Sequence, residues 1–141
     1  MKGLIIGLAN DQSLAWGCAK ALKAAGAELA VTYQNDKAQS YVAPLADAVG
    51  ASIVLPLDVR DAGQMTTLFE TIRERWGRLD FLLHSIAFAP TADLHGRVAD
   101  SSAEGFATAM DISCHSLIRL ARHAEPLMTD GGSILTMSFY G

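Results

Sequence analysis

The first turn of the chain has the composition of a loop that binds phosphate. Leu4, Ile5 and Ile6 form a short apolar run, typical of a parallel strand that is covered on both faces. The segment 7–12 that follows is made of small and polar residues around one leucine, and Ser13 is a favourable N-cap for a helix. A loop that leaves a strand and enters a helix directs backbone N–H groups, and the positive end of the helix dipole, towards a ligand above it. The pattern therefore predicts a cradle for the pyrophosphate of a dinucleotide.

The glycines of this turn leave a second interpretation open. Gly7 and Gly17 do not form the G-x-G-x-x-G fingerprint of many dinucleotide-binding folds. In the second interpretation Gly7 only permits a tight turn, and Ser13 only caps the helix. The choice between a phosphate site and a plain strand–helix unit depends on what the rest of the chain places beside this turn.

Composition limits the class of protein. The chain has 141 residues, of which 50% are hydrophobic and 18% are charged, as in a globular domain with a core of its own. The net charge of −4, without a cluster of Lys and Arg in the sequence, argues against binding to nucleic acid or to an anionic membrane surface. The sequence shows no apolar run of transmembrane length and no signal peptide, so we expect a cytoplasmic protein without a membrane partner.

The cysteines and histidines do not indicate a metal site. Cys18 and Cys114 each fall within a helical pattern and do not form a C-x-x-C pair, so we expect buried, reduced thiols in a cytosolic protein. The four histidines lack the spacing of metal ligands, both among themselves and with the cysteines. We therefore expect no bound metal.

The rest of the chain alternates between strand and helix patterns. Further strands are predicted at residues 28–33, 52–57, 79–85 and 132–138. Helices are predicted after Ser13 and at residues 37–49, 61–76 and about 101–128. In the first helix, Leu14, Cys18, Leu22 and Ala25 recur at helical spacing and predict its apolar face.

Capping residues and prolines mark the helix boundaries. Asp61 and Gln64 have the spacing of a capping box, and Ser101 and Glu104 form a similar pair before the long last helix. Pro44 falls inside the second predicted helix, where proline is costly, so it is expected to begin a second helical piece.

This alternation predicts the fold class. Strands joined by helices of this length form an α/β, doubly wound parallel sheet (Rossmann), here five strands with helices on both faces, truncated after the fifth strand. In such sheets, ligands bind at the carboxyl ends of the strands, near the point where the strand order reverses. The residues that directly follow each strand are therefore the candidate site residues.

The residue after the second strand indicates the type of dinucleotide. Gln34 stands where such sites usually carry an acid that accepts from the ribose 2′-hydroxyl, and its side chain can also bond a hydroxyl. No arginine follows directly, and Asp36 would repel a 2′-phosphate, although Lys37 is close by. The pattern favours NADH over NADPH.

The third and fourth strand ends supply further candidate contacts. The Asp58 carboxylate can accept a hydrogen bond from an adenine amino group, with Val59 packing on the ring, or it can simply begin a turn. Ser85, Ala87 and Ala89 are small enough for a ligand to approach the backbone, although a plain loop of small residues has the same composition. Several strand ends with suitable residues, in the right order, favour the dinucleotide site.

Segments spread along the whole chain carry a resemblance to a known family. They are GLANDQSLAWG, TYQNDK, LDV, RLDFLLHSIAFAP, DIS and GGSILTMS. This series resembles the NADH-dependent enoyl-acyl-carrier-protein reductases, a divergent branch of the short-chain dehydrogenase/reductase superfamily. The pattern G-x-x-x-x-x-S-[ILV]-A-x-G and the H-S-I-x-F-A segment are specific to that branch. The resemblance implies an N-terminal dinucleotide-binding (Rossmann) domain over residues 1–141.

The resemblance assigns cofactor contacts residue by residue. Gly7, Ser13 and Leu14 would meet the pyrophosphate and its neighbouring ribose. Gln34 would lie beside the adenosine ribose. The remaining contacts it implies are Asp58 and Val59 around the adenine, and Ser85, Ile86 and Ala87 beside the nicotinamide. The family usually has Gly where this chain has Ala87.

The resemblance also implies a reaction. Hydride passes from NADH to the β-carbon of a trans-2-enoyl thioester on acyl-carrier protein, in fatty-acid biosynthesis, with Ala89 where the acyl carbonyl end enters. The negative charge that develops on the thioester oxygen needs a hydrogen-bond donor, which in the family is a tyrosine. That position is Phe139 here, and phenylalanine cannot donate, so Tyr140 is the candidate catalytic residue.

The family's main Tyr/Lys pair belongs to a helix that lies beyond Gly141. We therefore expect this chain to be the N-terminal part of a longer protein, without the C-terminal part that carries that helix, and inactive by itself. The superfamily's usual assembly implies a homo-oligomer, a tetramer by analogy. Two alternatives stay open: another reductase of the superfamily, acting on a ketone or a 3-oxoacyl group, or a dinucleotide-binding module without turnover.

Overall fold

The sheet that the sequence predicts is present in the computed structural model, which describes residues 1–139. Its strands are β1 (Lys2–Ile6), β2 (Glu28–Tyr33), β3 (Ile53–Pro56), β4 (Phe81–His84) and β5 (Ser133–Thr136). They lie in the order β3-β2-β1-β4-β5, and every neighbouring pair is parallel. Each strand overlaps the range predicted for it, so the parallel α/β sheet is confirmed.

Helices connect successive strands of the sheet. They are α1 (Leu14–Ala24), α2 (Asp36–Ala48), α3 (Ala62–Trp76), α4 (Ala103–Met110) and α5 (Ser116–Ala124). Short 3-10 turns lie at Thr91–Asp93, Val98–Asp100 and Glu125–Leu127. A π-helical segment, Asp111–His115, joins α4 to α5.

The sheet carries a separate apolar core on each face. Successive side chains of a strand point to opposite faces, so Leu4 and Ile6 enter one core and Ile5 enters the other. The first core includes residues of α3 and α5, and the second includes residues of α1 and α2. Helices on both faces of the sheet confirm the doubly wound class.

The buried face of α1 differs from the predicted one. Ala15 and Ala19 are fully buried, whereas Leu14 is 68% exposed and Ala25 is exposed at the helix C-cap. Leu22 is only partly buried. The contact with the sheet uses small side chains, which let the helix axis approach closely, and a search for large apolar residues at helical spacing therefore selects the neighbouring face.

The cysteines are only partly as expected. Both are free thiols, but Cys114 is exposed and Cys18 is partly buried. Cys114 lies in the π-helical segment, whose wider turns rotate the following residues relative to a regular α-helix. The prediction that Cys114 is buried, made from α-helical spacing, is wrong for that reason.

Helix α2 is one continuous helix that contains Pro44, so the expected second helical piece does not form. Proline removes the hydrogen bond that its own N–H would donate to the carbonyl four residues earlier, which belongs to Ser40. Both Ser40 and Pro44 are exposed, so water can solvate that carbonyl and the helix tolerates the loss.

The predicted long last helix begins one residue later than expected and is interrupted. Ser102, not Ser101, is the N-cap of α4, and its Oγ accepts from the backbone N–H of Gly105 at 2.9 Å. Ser101 Oγ instead donates to the Val98 carbonyl. The Asp93 carboxylate accepts from the Ser102 N–H at 2.6 Å and selects this cap, a contact nine residues away that the local pattern does not contain.

Only one of the two hydrogen bonds of the predicted capping box forms at the start of α3. The Asp61 carboxylate accepts from the Gln64 N–H at 3.0 Å, as in a capping box. The Gln64 side chain does not return to Asp61, because its Oε1 accepts from the backbone N–H of Asp58 at 2.7 Å. The helix therefore also holds the segment that precedes it.

The strand order reverses between β1 and β4, and their ends come very close there. The Ser85 N–H donates to the Ile6 carbonyl at 2.9 Å, which continues the β1–β4 ladder by one residue. Gly7 has a φ of 101°, and a Cβ at this position would lie 1.9 Å from the Ser85 carbonyl oxygen. Only glycine fits this point, so a tight backbone approach, and not only a turn, requires Gly7.

We expect Gly7→Ala to lower the free energy of unfolding by about 3 kcal/mol or more, because it adds a backbone clash to an unfavourable φ. Urea denaturation measures the change. The matched control is Gly17→Ala, an exposed site in α1 with open space around the new methyl group. That control should stabilise the protein by roughly 0.5–1 kcal/mol. Equal effects of the two substitutions would contradict the close approach.

Candidate functional site

A cleft of about 200 Å³ opens where the strand order reverses, at the carboxyl ends of β1 to β4. Parallel α/β sheets bind ligands at this location because the loops on either side of the reversal diverge. The cleft is lined by Ile6, Gly7, Leu8, Ala9, Thr32, Gln34, Ala38, Leu57, Asp58, Val59, Arg60, Ser85, Ile86, Ala87, Phe88 and Ile112.

Most of the residues expected at the site line this one cleft. Those that do are Gly7, Gln34, Asp58, Val59, Ser85, Ile86 and Ala87. Three expected residues, Ser13, Leu14 and Ala89, do not line it. Tyr140, the candidate catalytic residue, lies outside the described residues, and its neighbour Phe139 is 96% exposed.

Ser13 is the N-cap residue of α1, but its side chain does not cap the helix. Its Oγ donates to the Asn10 carbonyl at 2.6 Å, and the Asn10 side chain accepts from the Gln12 N–H at 2.9 Å. The turn is thus held by its own side chains. The Trp16 N–H donates to the Ser13 carbonyl at 2.9 Å, but the Ser13 side chain caps none of the first N–H groups of α1, which suits the helix N-terminus to an anionic group.

The far side of the cleft combines an amide, a carboxylate and apolar walls. Gln34 is exposed at the end of β2, and the next residue, Asn35, caps α2 by accepting from the Ala38 N–H at 3.0 Å. Val59 is buried and Asp58 is partly buried after β3. A flat ring with polar edges fits such walls, and the two side chains offer acceptors for hydroxyl and amino groups.

Asp58 is paired within the cleft. Arg60 Nη2 donates to its Oδ2 at 2.7 Å, and Arg60 Nε donates to its Oδ1 at 3.1 Å. The bonds from the Arg60 side chain are the main reason that the pKa of the Asp58 carboxyl is lowered from its usual value. The carboxylate is therefore ionised at neutral pH and can only accept hydrogen bonds.

The π-helical segment holds the loop after β4. Ser113 Oγ accepts from the Phe88 N–H at 2.9 Å and donates to the Phe88 carbonyl at 3.0 Å. The preceding residue, Ile112, is buried and lines the cleft. Arg119 bonds both ends of the segment, donating to the Asp111 carboxylate at 2.5 Å and to His115 Nδ1 at 2.9 Å. π-Helical turns occur often at functional sites. Here the turn places Ile112 in the cleft and Ser113 against the loop after β4.

A polar network around the buried His84 ties β4 to β5 and α5. Ser116 Oγ donates to the Ile112 carbonyl at 2.7 Å, so it accepts from His84 Nε2–H, also at 2.7 Å. His84 Nδ1 then accepts from Thr136 Oγ1 at 2.9 Å. These bonds assign His84 as the neutral tautomer protonated on Nε2. Since His84 is fully buried, desolvation lowers its pKa.

Nine of the sixteen residues that line the cleft are not among the predicted site residues: Ile6, Leu8, Ala9, Thr32, Ala38, Leu57, Arg60, Phe88 and Ile112. Arg60 stands two residues after Asp58, and that spacing is the signal that could have revealed their ion pair. Ile112 has no such signal, because it reaches the cleft from the π-helical segment and does not directly follow a strand.

The parallel sheet, with helices on both faces, defines a Rossmann-like α/β fold. The family model described as "Enoyl-(Acyl carrier protein) reductase" matches residues 7–141. The chain is 48% identical over 140 residues to the enoyl-[acyl-carrier-protein] reductase [NADH] FabI of Rickettsia felis, covering 99% of this chain and 54% of the relative. The chain belongs to the enoyl-(acyl carrier protein) reductase family.

Solved structures of the same family superpose closely on this chain. The enoyl-(acyl-carrier-protein) reductase of Anaplasma phagocytophilum, in complex with NAD, matches with a TM-score of 0.95 and 50% identity over 99% of this chain and 53% of its own. The Bacillus cereus enoyl-acyl carrier protein reductase, with NADP+ and indole naphthyridinone, matches with a TM-score of 0.94 and 41% identity over 98% and 55%. The chain spans about half the length of the relatives it matches.

We expect acid to destabilise the protein through His84. The unfolded chain takes up a proton near the ordinary pKa of 6.5, whereas the folded protein does so only at lower pH, because burial disfavours the charged ring. The free energy of unfolding should therefore fall as the pH drops below about 6.5, by at most about 1.4 kcal/mol per pH unit from this residue.

Urea denaturation between about pH 8 and pH 5 tests this expectation. His84→Gln keeps an amide N–H for Ser116 but does not titrate, so its stability should change less over this range. His95→Gln, at an exposed histidine, is the matched control and should keep the slope of the unsubstituted protein. An unchanged slope in His84→Gln would refute the assignment.

Proposed function

We propose that this protein reduces trans-2-enoyl-acyl-carrier-protein thioesters to acyl-acyl-carrier protein with NADH, as a step of fatty-acid biosynthesis. Its family membership supports the reaction, and the cleft at the strand reversal supports the cofactor. The observation that carries the proposal is that seven residues assigned to cofactor contacts, from four strand ends, meet in this one cleft.

The described residues fit such a cofactor. Gly7 lines the cleft where β1 ends, and the first turn of α1 after Ser13 and Leu14 offers N–H groups to the pyrophosphate. Gln34 bonds the adenosine ribose, and Asp58 and Val59 contact the adenine.

The loop after β4 serves the nicotinamide end and the substrate. We propose that Ser85, Ile86 and Ala87 line the nicotinamide and that Ala89 lies where the acyl carbonyl end enters. Bound NADH supplies the hydride for the β-carbon of the thioester. The chain's residues orient that ring: Ile86 excludes water from one side, and the bonds between Phe88 and Ser113 keep the loop in place.

We propose that Tyr140 donates a hydrogen bond to the thioester oxygen as negative charge develops on it. The side chain at Phe139, the family's tyrosine position, has no donor. A donor aimed at a developing oxyanion contributes about 10²–10³-fold in rate, so Tyr140→Phe should lower kcat by that factor.

The test is the loss of NADH absorbance with a short trans-2-enoyl thioester and the full-length protein. We expect turnover with NADH that exceeds turnover with NADPH, and little change in Phe139→Leu, the matched control for Tyr140→Phe. A 3-oxoacyl thioester or a ketone that outcompetes the enoyl substrate would assign another reductase of the superfamily. Tight NADH binding without turnover of any of these substrates would indicate a binding module.

We also propose that the protein assembles with copies of itself, as a tetramer. Phe106 and Met110, four residues apart on α4, are 66% and 46% exposed, and Ile118 on α5 is 61% exposed. Exposed apolar side chains of this size on neighbouring helices favour contact with another copy. We further propose a cytoplasmic location, because both cysteines are free thiols, their usual state in a reducing compartment. No helix in the described part of the chain is long and apolar enough to cross a membrane.

Sedimentation velocity tests the assembly. We expect a species about four times the monomer mass, and Phe106→Glu should shift it to smaller species because a charge would be buried at the contact. Tyr41→Glu is the control, since Tyr41 is similarly exposed, at 58%, on α2. A monomer in the unsubstituted protein would contradict this proposal.

A further inference from the structure

Arg60 holds the Asp58 carboxylate with three donors. Its Nε and its backbone N–H both donate to Oδ1, at 3.1 and 2.9 Å, and its Nη2 donates to Oδ2 at 2.7 Å. The planar guanidinium matches the planar carboxylate at two points, which fixes the rotation of the carboxylate as well as its charge.

The backbone of Asp58 is held as well. Its N–H donates to Gln64 Oε1 at 2.7 Å, and its carbonyl accepts from the Asp61 N–H at 2.9 Å. Side chain and backbone are therefore both oriented before any ligand arrives. Such preorganisation strengthens binding of the ligand, because the entropy cost of ordering the Asp58 side chain is met when the protein folds and not when the ligand binds.

The pairing leaves Asp58 able to accept one more hydrogen bond. A carboxylate has about four acceptor positions, and the three donors of Arg60 use two on Oδ1 and one on Oδ2. The side chain of Asp58 is 28% exposed and lines the cleft. Oδ2 is therefore the oxygen with capacity for a donor on a ligand.

Arg60 itself is poorly suited to a phosphate. Two of its three guanidinium nitrogens bond Asp58, and the charge of Asp111 on the facing helix segment also stabilises its positive charge. A 2′-phosphate would have to compete with both carboxylates.

We propose that Arg60 is a positioning residue that makes the cleft specific for a 6-amino purine, by holding Asp58 as a fixed acceptor for the exocyclic amine. The inference rests on the proposed dinucleotide function and identifies how the base is selected. A 6-oxo purine presents an acceptor at the same place, and an acceptor that faces a fixed carboxylate is repelled and left without a partner.

The chain contains a matched pair for a control. Arg78 and Asp80 are also two residues apart, and Arg78 donates to Asp80 Oδ1 through Nε at 3.1 Å and through Nη2 at 2.5 Å. The arginine side chains of the two pairs are 54% and 53% exposed. Asp80 directly precedes β4, at the opposite end of the sheet from the cleft. Loss of a comparable ion pair can thus be separated from loss of base recognition.

The experiment measures the Kd of NADH and of its deamino analogue, which carries hypoxanthine in place of adenine, with the full-length protein. We expect the unsubstituted protein to bind NADH about tenfold more tightly than the analogue, as one hydrogen bond to a charged group provides. Arg60→Lys keeps the charge without the two-point contact and should reduce this ratio to about threefold or less. Arg78→Lys should leave the ratio unchanged.

Two further variants make the test decisive. Asp58→Asn converts the acceptor into a group that can also donate, so it should bind the analogue at least as well as NADH. Arg60→Gln repeats the Arg60 test without a charge, and a melting curve for each variant shows that it is folded.

The outcomes separate the inference from the function it rests on. If the unsubstituted protein binds neither dinucleotide, both the proposed function and this inference are overturned. If it prefers NADH and Arg60→Lys keeps the full ratio, only the role of Arg60 is overturned. If Arg60→Lys weakens NADH and the analogue equally, or weakens NADPH more than NADH, Arg60 acts on the phosphates and the inference also fails.

Discussion

The structure depends on the close contact between the ends of β1 and β4. The strand order reverses there, so the segments after the two strands diverge and leave a cleft between them. The contact requires a residue without a side chain at Gly7, because the Ser85 carbonyl occupies the space of a Cβ. The same contact that joins the two halves of the sheet thus forms the floor of the candidate site.

Polar groups far apart in sequence then hold the walls of that cleft. His84 joins β4 to Thr136 of β5 and to Ser116 of α5, and it does so as a neutral, fully buried ring. Ser113 bonds both the N–H and the carbonyl of Phe88 in the loop after β4. Hydrogen bonds between segments far apart in the chain make a structure rigid, and here they do so beside residues that must keep their positions relative to a ligand.

Two arginine–aspartate pairs show how location determines the role of a motif. Asp58 with Arg60 and Arg78 with Asp80 have the same spacing and similar contacts. The first pair lies at the carboxyl ends of the strands, within the cleft, and the second lies at the opposite end of the sheet. Only the first pair presents an oriented carboxylate to the cleft, because Asp58 follows a strand whereas Asp80 precedes one.

The sequence by itself determined the strands, the parallel α/β class, the family resemblance and seven of the sixteen residues that line the cleft. These follow from short apolar runs, from caps such as Asp61 and from the rule that ligands bind at strand ends, all of which are local or topological. Only the tertiary structure decided that α1 packs through Ala15 and Ala19, that Ser102 caps α4 and that Ile112 reaches the cleft. Those outcomes depend on backbone distance and on contacts between segments far apart in the chain, which no local pattern contains.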